Sequence, residues 1–525
     1  MLSQVPAANG RTRGIFLFGP AVVTYDLSER RQLGHAVPAD DDDTDLDSKL
    51  KCIYKANLDW NACYLDAAGN PQPCICGPER YGPPGSTQPH CVSMRTPAGV
   101  PIHHVPNEPP PYNIVMIQLE SIAFNHDSSA ETHDAINLRK NGSTWLAVPE
   151  WQRGVSVLPE DSTAAYAVAQ VGGNTVTIQA SLSCTDPTIH TTRVRALDAV
   201  VDPPPRSGCL GWLIMLIRWI LRALFGNVLG EVKARTVSFT GGQTGPLFFE
   251  LKHTKLQHAS VGSHTTKWRW QYKLKKGPWV DFRLTEHRIF VLLDLPTPPW
   301  QQTPYQQNNT QLPWSDVLKY ACQWGLGATT QVAAARGVTR GVYQLGPAVV
   351  TYDCPGGGSS HYSWGGFDCT AFVERLQGGF GNGYYINCSD CATFVSTFAN
   401  ILGCDLWQSR MHDNGFASFG LNPMLGIGSS VWEPCCHGEP GWSDAFSYHE
   451  VAWTGACTVT ERVYDGCLQI DGDADPTVAP HTALLPVDIV FGNPGDLTYR
   501  DRLATPAGRP HCNPQPATQL RRAVN

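Results

Sequence analysis

One stretch of the sequence decides the fold of the C-terminal half of the chain, and it reads Asn387-Cys388-Ser389-Asp390-Cys391-Ala392-Thr393-Phe394-Val395-Ser396-Thr397-Phe398-Ala399-Asn400-Ile401-Leu402-Gly403-Cys404. Its apolar side chains recur at steps of three and four residues, as Phe394, Phe398 and Leu402 illustrate, which is the period of an α-helix. Gly403 follows the last of them and is a residue type that commonly ends a helix. The pattern therefore predicts a helix that begins just after Asn387.

The two cysteines of this helix have different expected roles. Asn387 is a suitable N-cap, which places Cys388 in the first turn. A thiol there experiences the positive end of the helix dipole, which lowers its pKa and favours the nucleophilic thiolate. Cys391 falls on the apolar stripe and is expected to pack in the core. Cys388 is therefore the candidate nucleophile, if the rest of the chain supplies a base.

The composition indicates a multidomain protein that is rich in strands. A chain of 525 residues holds about three domains at 100–200 residues each. The charged fraction of 16% is low, while 49 glycines and 41 prolines favour strands and ordered loops. The net charge of −7, without a basic stripe, argues against nucleic acid as a partner.

Two features bear on the cellular compartment, and they disagree. The first residues lack the basic start and apolar run of a signal peptide. The 18 cysteines instead favour an oxidising compartment, although they are too sparse for a disulfide scaffold. We expect a cytoplasmic protein with reduced thiols.

The first region, 1–111, is rich in Pro and Gly and contains scattered cysteines: Cys52, Cys63, Cys74, Cys76 and Cys91. Their spacing lacks the two CxxC pairs of a zinc knuckle. A loop-rich segment with separate thiols is favoured, and a small zinc site and a disulfide cluster both remain open.

One segment occurs twice, at 12–26 and at 339–353, and both copies contain Gly-Pro-Ala-Val-Val-Thr-Tyr-Asp. Nothing around the copies repeats, which excludes a solenoid. A duplicated insertion and two copies that dock on equivalent surfaces are both consistent with it.

Two stretches, 112–202 and 233–300, are predicted to be β-rich, sandwich-like modules, since each contains short strand-like runs separated by turn residues. Gly172-Gly173-Asn174 predicts a hairpin turn in the first. In the second, three aromatic residues alternate and share one face of a strand: Trp268, Trp270 and Tyr272. Core packing is the favoured role of that face, and a surface that stacks carbohydrate or peptide is the alternative.

An apolar helical segment, 203–232, separates these modules. Its centre, 209–225, is interrupted only by Arg218 and Arg222, four residues apart on one helical face. Each arginine would cost roughly 2.5–3.5 kcal/mol at the centre of a membrane span. Burial against its own domain or another subunit is favoured, while contact with a membrane surface and a true span remain open.

A third domain is predicted at 313–500, with a tail at 501–525. Helices are expected from Ser315 to about Trp324 and near 329–343, ahead of the helix that carries Cys388. The Pro-rich and Gln/Asn-rich sequence before residue 313 marks the boundary.

A histidine and an acid follow the candidate nucleophile. His449 lies in a strand-like run that ends at Trp453, and a turn at Gly455 leads to a second run that ends at Asp465. Strands of an antiparallel hairpin are neighbours, so Asp465 would reach the imidazole. A thiol, a base and an orienting carboxylate are what nucleophilic catalysis requires.

These residues resemble the transglutaminase-like branch of the papain-like superfamily. Cys388-Ser389-Asp390-Cys391-Ala392 is similar to that family's Cys-x-Asp/Glu-x-Ala motif at the start of a helix. His449-Glu450-Val451-Ala452-Trp453 is similar to its histidine strand, which usually has a tighter His-Ala-Trp, and Val463-Tyr464-Asp465 to its aspartate strand. The resemblance covers about 313–475 and implies an α+β, papain-like catalytic domain behind the β-rich modules.

The resemblance also implies an activity, so an enzyme is the favoured reading. Cys388 would be the nucleophile, His449 the general base and acid, and Asp465 the residue that orients His449, with Asp471 and Asp473 as alternatives. The reaction would form a thioester on a glutamine or peptide amide, resolved as hydrolysis, deamidation or cross-linking. The partner would be a protein or peptide substrate, and neither a cofactor nor a metal is needed.

Two other function classes remain open. The domain could be transglutaminase-like but catalytically inactive, with the β-rich modules recognising a partner. The chain could also be a zinc-binding structural protein, in which Cys388 and Cys391 form one half-site and Cys435-Cys436-His437 the other. Adjacent Cys435 and Cys436 have poor geometry for one tetrahedral ion, which disfavours the zinc hypothesis. A redox role for the Cys-x-x-Cys sequence lacks a surrounding βαβ pattern.

Overall fold

The computed structural model describes residues 117–127, 133–199, 226–275, 277–305, 308–353, 359–412, 418–432 and 444–525. Ahead of these, only the backbone of short strands is described: β1 (Ser3–Pro6), β2 (Thr12–Phe18), β3 (Ala21–Asp26), β4 (Arg31–Ala36), β5 (Ala62–Leu65), β6 (Pro71–Pro73), β7 (Met94–Arg95) and β8 (Pro101–Ile102). The side chains of the N-terminal cysteines, those of the first repeat copy, and the apolar segment 209–225 lie outside the described residues.

The largest element is a nine-stranded sheet, in the order β10-β9-β12-β15-β14-β13-β16-β17-β11. Its strands are β9 (Ile117–Ala123), β10 (Trp151–Gln152), β11 (Thr163–Ala167), β12 (Thr177–Cys184), β13 (Thr191–Asp198), β14 (Glu231–Ser238), β15 (Gln243–Lys252), β16 (Gly262–Lys273) and β17 (Val280–Leu292). A short helix, α1 (Val168–Val171), follows β11, and 3₁₀ turns occur at Pro159–Asp161 and Leu256–His258.

This sheet curls around an apolar core. Alternate residues of a strand point to the same face, which explains why Trp268 and Trp270 are both fully buried and Tyr272 nearly so. The ring of Trp270 packs edge-on against Phe249, and that of Trp268 stacks with Phe124. The aromatic face is therefore core, as the favoured interpretation of the sequence expected.

The strands of both predicted β-rich modules join this single sheet. β12 pairs with β15, and β13 pairs with β14 and β16, so pairing crosses the predicted boundary. The predicted hairpin at Gly172-Gly173-Asn174 is wrong, since β11 pairs in parallel with β17 and β12 pairs with β9 and β15. Gly172, at φ +53°, instead ends α1. One curled sheet thus stands where two sandwich-like modules were predicted.

The C-terminal half is a mixture of helices and short strands, and both helices predicted before Cys388 are present. The helices are α2 (Ser315–Trp324), α3 (Gln331–Tyr343), α4 (Cys369–Leu376), α5 (Cys388–Asn400) and α6 (Tyr499–Leu503), with a 3₁₀ turn at Arg509–His511. The strands are β18 (Thr351–Tyr352), β19 (Tyr385–Ile386), β20 (Trp407–Met411), β21 (Phe419–Gly420), β22 (Leu425–Gly426), β23 (Ala445–Phe446), β24 (His449–Trp453), β25 (Arg462–Tyr464), β26 (Leu468–Asp471), β27 (Ala483–Leu484), β28 (Val487–Val490) and β29 (Pro514–Leu520). The second repeat copy, 339–353, runs from the end of α3 to just beyond β18.

A five-stranded sheet, in the order β28-β25-β24-β20-β29, forms the second layer of this half. The predicted hairpin is present, because Ala452 of β24 pairs with Tyr464 of β25 in antiparallel register. The predicted tail 501–525 is not a tail, since it supplies the edge strand β29, which pairs with β20. An edge strand tolerates proline, so Pro514 and Pro516 made a strand look like a loop.

Helix α5 lies at the centre of this half, and its sequence explains both of its ends. The Asn387 side chain accepts the N–H of Asp390, and the Asp390 carboxylate accepts the N–H of Asn387, each at 3.1 Å. After the helix, Gly403 has φ +91°, a left-handed conformation that favours glycine. All residues of α5 are buried. The helix is therefore surrounded by the domain and held at both ends.

The curled sheet rests on the C-terminal end of α5. The N–H of Leu293, just after β17, donates to the carbonyl of Leu402 at 3.1 Å. The indole N–H of Trp300 donates to the carbonyl of Thr397 at 2.9 Å. The described residues thus form a β-rich, mixed fold with few helices. Within them, no helix combines the length and apolar character that crossing a membrane requires.

Candidate active site

The structure brings together the three residues singled out in the sequence. Cys388 opens α5, His449 opens β24, and Asp465 directly follows β25. They converge because α5 packs on β24 and β24 pairs with β25. Nε2 of His449 lies 2.9 Å from Oδ2 of Asp465. The imidazole and the Cys388 thiol are close enough for each to shift the pKa of the other.

The imidazole of His449 is fully buried and firmly oriented. Asp465 occupies its Nε2, and among the described residues its Nδ1 makes no hydrogen bond. The ring of Phe446 stacks on it, with centroids 5.0 Å apart and planes 7° apart. One nitrogen is thus held by a carboxylate, and the other is available to exchange a proton with a thiol.

The carboxylate of Asp465 is held by further hydrogen bonds. Besides His449, it accepts the hydroxyl of Tyr499 at 2.7 Å on Oδ2 and the backbone N–H of Cys467 at 2.8 Å on Oδ1. These bonds fix the orientation of the carboxylate and, through it, the orientation of the imidazole.

The competing acids contact other groups. Asp471 accepts from Nδ1 of His481 at 2.7 Å and from the N–H of Thr482 at 2.9 Å. Asp473 accepts the N–H of Asp475 at 2.9 Å. Of the three candidate acids, Asp465 is the one in hydrogen-bond contact with His449.

Charge around the imidazole favours its protonated form. Burial by itself would lower the pKa of His449, but the charge and hydrogen bond of Asp465, followed by the nearby Cys388, outweigh burial and raise the pKa to about 10. The neutral form of the imidazole is therefore a strong proton acceptor next to the thiol.

The expectation that the helix start lowers the pKa of Cys388 is wrong. Burial raises that pKa, and the nearby His449 imidazole offsets the rise only in part. The cysteine is only 4% exposed, so desolvation of the thiolate exceeds what the first turn of a helix contributes. Transfer to His449, which keeps the charges paired, is the favourable route for the thiol proton.

Asp465→Asn is expected to flatten the pH dependence of folding stability. In the wild type the pKa of His449 rises from 6.5 to about 10 on folding. The folded state therefore holds a proton that the unfolded chain releases, so the free energy of unfolding falls as pH rises from about 6.5 through about 10. Without the Asp465 charge this fall should be much smaller. Urea unfolding at pH 7, 8, 9 and 10 measures it.

Asp471→Asn is the matched control for this variant, because it removes the carboxylate from another Asp–His pair and leaves His449 unchanged. It should retain the wild-type slope. Equal slopes in Asp465→Asn and the wild type would contradict the assigned coupling between Asp465 and His449.

A buried polar network joins the neighbours of the nucleophile and the base. Glu450, next to His449, accepts the hydroxyl of Ser389, next to Cys388, at 2.7 Å. The Arg522 guanidinium donates to both oxygens of the same carboxylate, at 2.5 and 3.1 Å. The network therefore fixes β24 relative to the start of α5.

Asp390, the acidic position of the cysteine motif, has a structural role. In addition to capping α5, its carboxylate accepts the N–H groups of His361 and Tyr362 at 3.0 and 2.9 Å, and the hydroxyl of Ser363 at 2.8 Å. It thus anchors a neighbouring loop against the turn that carries Cys388.

Cys391 packs in the core, as the sequence indicated. It is 1% exposed, and burial raises the pKa of its thiol. Cys435-Cys436-His437, the second half of the alternative zinc site, lies outside the described residues.

Sequence reasoning missed three residues that support the site: Tyr499, Glu450 and Arg522. The position of Glu450 beside His449 was a usable signal, since a carboxylate in an otherwise apolar strand requires a partner. Tyr499 lies at the end of the predicted domain and Arg522 in the predicted tail. The sequence around them contains no pattern that indicates a contact with the site.

No protein-family model matches the sequence, and the comparison with curated proteins gives no significant match. Among solved structures, the chain is similar to the crystal structure of red sea bream transglutaminase, with a TM-score of 0.28 and 12% sequence identity. The similarity covers 59% of this chain and 50% of that chain, so the chain spans about half the length of the structure it matches.

Proposed function

We propose that the chain is a transglutaminase-like cysteine enzyme that transfers or hydrolyses the acyl group of peptide or glutamine amides through a thioester. The main support is the linked set of Cys388, His449 and Asp465, with Nε2 of His449 2.9 Å from the carboxylate of Asp465. A nucleophile, a base and an orienting acid are the parts that acyl transfer requires. The proposed substrate is a protein or peptide.

In the first half-reaction, the neutral form of His449 accepts the thiol proton of Cys388 at Nδ1. The sulfur attacks the amide carbon, a C–S bond forms, and the carbonyl π electrons move onto oxygen. The start of α5 would stabilise that oxyanion with the positive end of its dipole. As the tetrahedral intermediate collapses, the C–N bond breaks and His449 returns the proton to the leaving amine or ammonia.

In the second half-reaction, water or an amine attacks the thioester carbon while His449 removes its proton. The C–S bond breaks, and the proton passes to the sulfur to restore the thiol of Cys388. Water gives hydrolysis or deamidation, whereas an amine gives a cross-linked amide. Asp465 keeps the imidazole aligned and stabilises its protonated form throughout.

The proposal is tested with Cys388→Ala on the full chain. Glutamine peptides with and without an added primary amine are incubated with the protein, and ammonia release, peptide cleavage and amine incorporation are followed. We expect turnover by the wild type, none above background by Cys388→Ala, and an acid-trapped acyl adduct on Cys388 by mass spectrometry.

Cys391→Ala serves as the matched control, because Cys391 lies one turn further along the same buried helix. It should retain most of the activity. Turnover by Cys388→Ala, or an adduct on a different cysteine, would refute the assignment of the nucleophile.

The burial of the site favours a second candidate, an inactive module with the same fold. Cys388 is 4% exposed, and His449 and Asp465 are 0% and 1% exposed, so the described conformation leaves a substrate little access to the sulfur. Iodoacetamide, a small alkylator, distinguishes the candidates. An enzyme should open often enough for Cys388 to be alkylated before Cys391, whereas an inactive module should leave both thiols unmodified until it unfolds.

A further inference from the structure

A compact group of metal-ligating side chains lies outside the candidate active site, beside the curled sheet. His126 and Asp127 follow β9, and His133 and Asp134 form a second His-Asp pair seven residues later. One donor atom each from His126, Asp127 and His133 lies within 4.8 Å of the others. Nothing in the proposed acyl transfer uses these residues.

The spacing of the donors suits a small cation. Nε2 of His133 lies 3.3 Å from Oδ2 of Asp127. Two donors bound tetrahedrally to zinc at 2.0–2.2 Å are about 3.3–3.6 Å apart, so this separation needs little adjustment. The rings of His126 and His133 lie nearly parallel, with centroids 5.7 Å apart and planes 21° apart.

The orientation of His126 distinguishes a ligand from an ordinary core histidine. Its side chain is 1% exposed, and its Nε2 lies 2.9 Å from Oγ1 of Thr177 and 3.4 Å from Oδ1 of Asp134. Its Nδ1 is buried and has no hydrogen-bond partner among the described residues. Buried polar atoms are rarely left unsatisfied, so an unpartnered nitrogen in such a cluster points to a missing ligand.

Asp134 completes an arrangement that metal sites commonly use. A histidine that binds a metal through one nitrogen usually directs its other nitrogen to a carboxylate or hydroxyl, which fixes the tautomer and the ring. The same carboxylate accepts the backbone N–H of His126 on Oδ1 and that of Asp127 on Oδ2, each at 3.0 Å. Asp134 thus positions two ligands and is not required as a ligand itself.

We propose that His126, through Nδ1, together with Asp127 and His133, binds a divalent zinc-like cation. Two imidazoles and one carboxylate suit zinc and similar late first-row ions, whereas calcium and magnesium prefer all-oxygen sites. The side chains of His133 and Asp127 are 43% and 30% exposed, so the ion would face solvent on one side. Three protein ligands leave at least one position for water or for a group of a bound molecule.

Zinc ions alone are the probe, used with the full reduced chain. Bound zinc is counted after equilibrium dialysis in the wild type, in His133→Gln and in Asp127→Asn. Both substitutions alter partly exposed side chains, so the fold should tolerate them. We expect each variant to bind one equivalent of zinc fewer than the wild type, and His258→Gln, which changes an exposed histidine elsewhere, to bind the wild-type number.

Diffraction at the zinc absorption edge, from crystals of the wild type soaked in zinc chloride, provides a second measurement that does not depend on any variant. An anomalous peak about 2.0–2.2 Å from Nδ1 of His126 and from the ligand atoms of Asp127 and His133 supports the site. Equal zinc content in the wild type and both variants, or zinc peaks only at other positions, would overturn it. Zinc bound by cysteines is the same in the wild type and the variants, so it cancels when their zinc contents are subtracted.

Discussion

His449→Gln is expected to lower the rate of the proposed acyl transfer by about ten-thousand-fold or more, an effect typical of removing the base from a catalytic triad. Glutamine retains a polar side chain but does not take up the proton of Cys388. The buried thiol would then have to lose its proton without a neighbouring acceptor. The measurement is kcat/KM for ammonia release from a glutamine peptide, with far-UV circular dichroism to verify folding.

His481→Gln is the matched control, since it alters another His–Asp pair of the same half, which is formed with Asp471. It should leave kcat/KM within a few fold of the wild-type value. If both variants lose activity equally, or if His449→Gln stays active, His449 is not the base. Loss in His449→Gln alone would support the assigned role.

Arg522→Ala is expected to destabilise the fold by about 1.5–3 kcal/mol, because it removes the guanidinium that contacts both oxygens of a buried carboxylate. Of the cations among the described residues, this leaves the carboxylate only Arg410, 3.4 Å from one oxygen. Glu450 is 1% exposed, and Arg522 donates to both of its carboxylate oxygens. Urea unfolding followed by tryptophan fluorescence measures the loss. Adding Glu450→Gln to Arg522→Ala should recover part of it, since the second substitution removes the buried charge that has lost its main partner.

Arg336→Ala tests whether any arginine of an ion pair has this effect. Arg336 also donates to a carboxylate, that of Asp488 at 2.6 Å, but its side chain is 44% exposed. Asp488 also has Arg462 3.4 Å away, so removing the exposed Arg336 should cost about 1 kcal/mol or less. Comparable losses in Arg522→Ala and Arg336→Ala would show that burial of the Glu450 pair does not matter.

Local patterns were sufficient where neighbouring residues determine the outcome. Apolar periodicity, the cap at Asn387 and the stop at Gly403 predicted α5 almost to the residue, and the turn at Gly455 predicted the β24–β25 hairpin. These two elements carry Cys388, His449 and Asp465, which is why the order of the three residues along the chain anticipated their meeting in space.

Local patterns failed where distant segments compete. The turn residues at 172–174 are compatible with a hairpin. β11 nevertheless pairs with β17, over one hundred residues later, and not with the strand that follows the turn. The pKa of Cys388 was misjudged for a related reason, since the helix dipole is visible in the sequence and the burial of the thiol is not. Tyr499 and Arg522 reach the site only through the completed tertiary fold.

The bond between Glu450 and Arg522 also has a consequence for the order of events during synthesis on the ribosome. The two residues are separated by 72 positions, and translation proceeds at about 5–20 residues per second, so roughly 4–14 s pass between their additions to the nascent chain. During that interval the carboxylate beside His449 can pair with Arg410, which is already synthesised, but lacks both Arg522 and the edge strand β29. A chaperone that shields the open edge of β20 in this window should raise the yield of native protein, and pausing between the two codons should lower it.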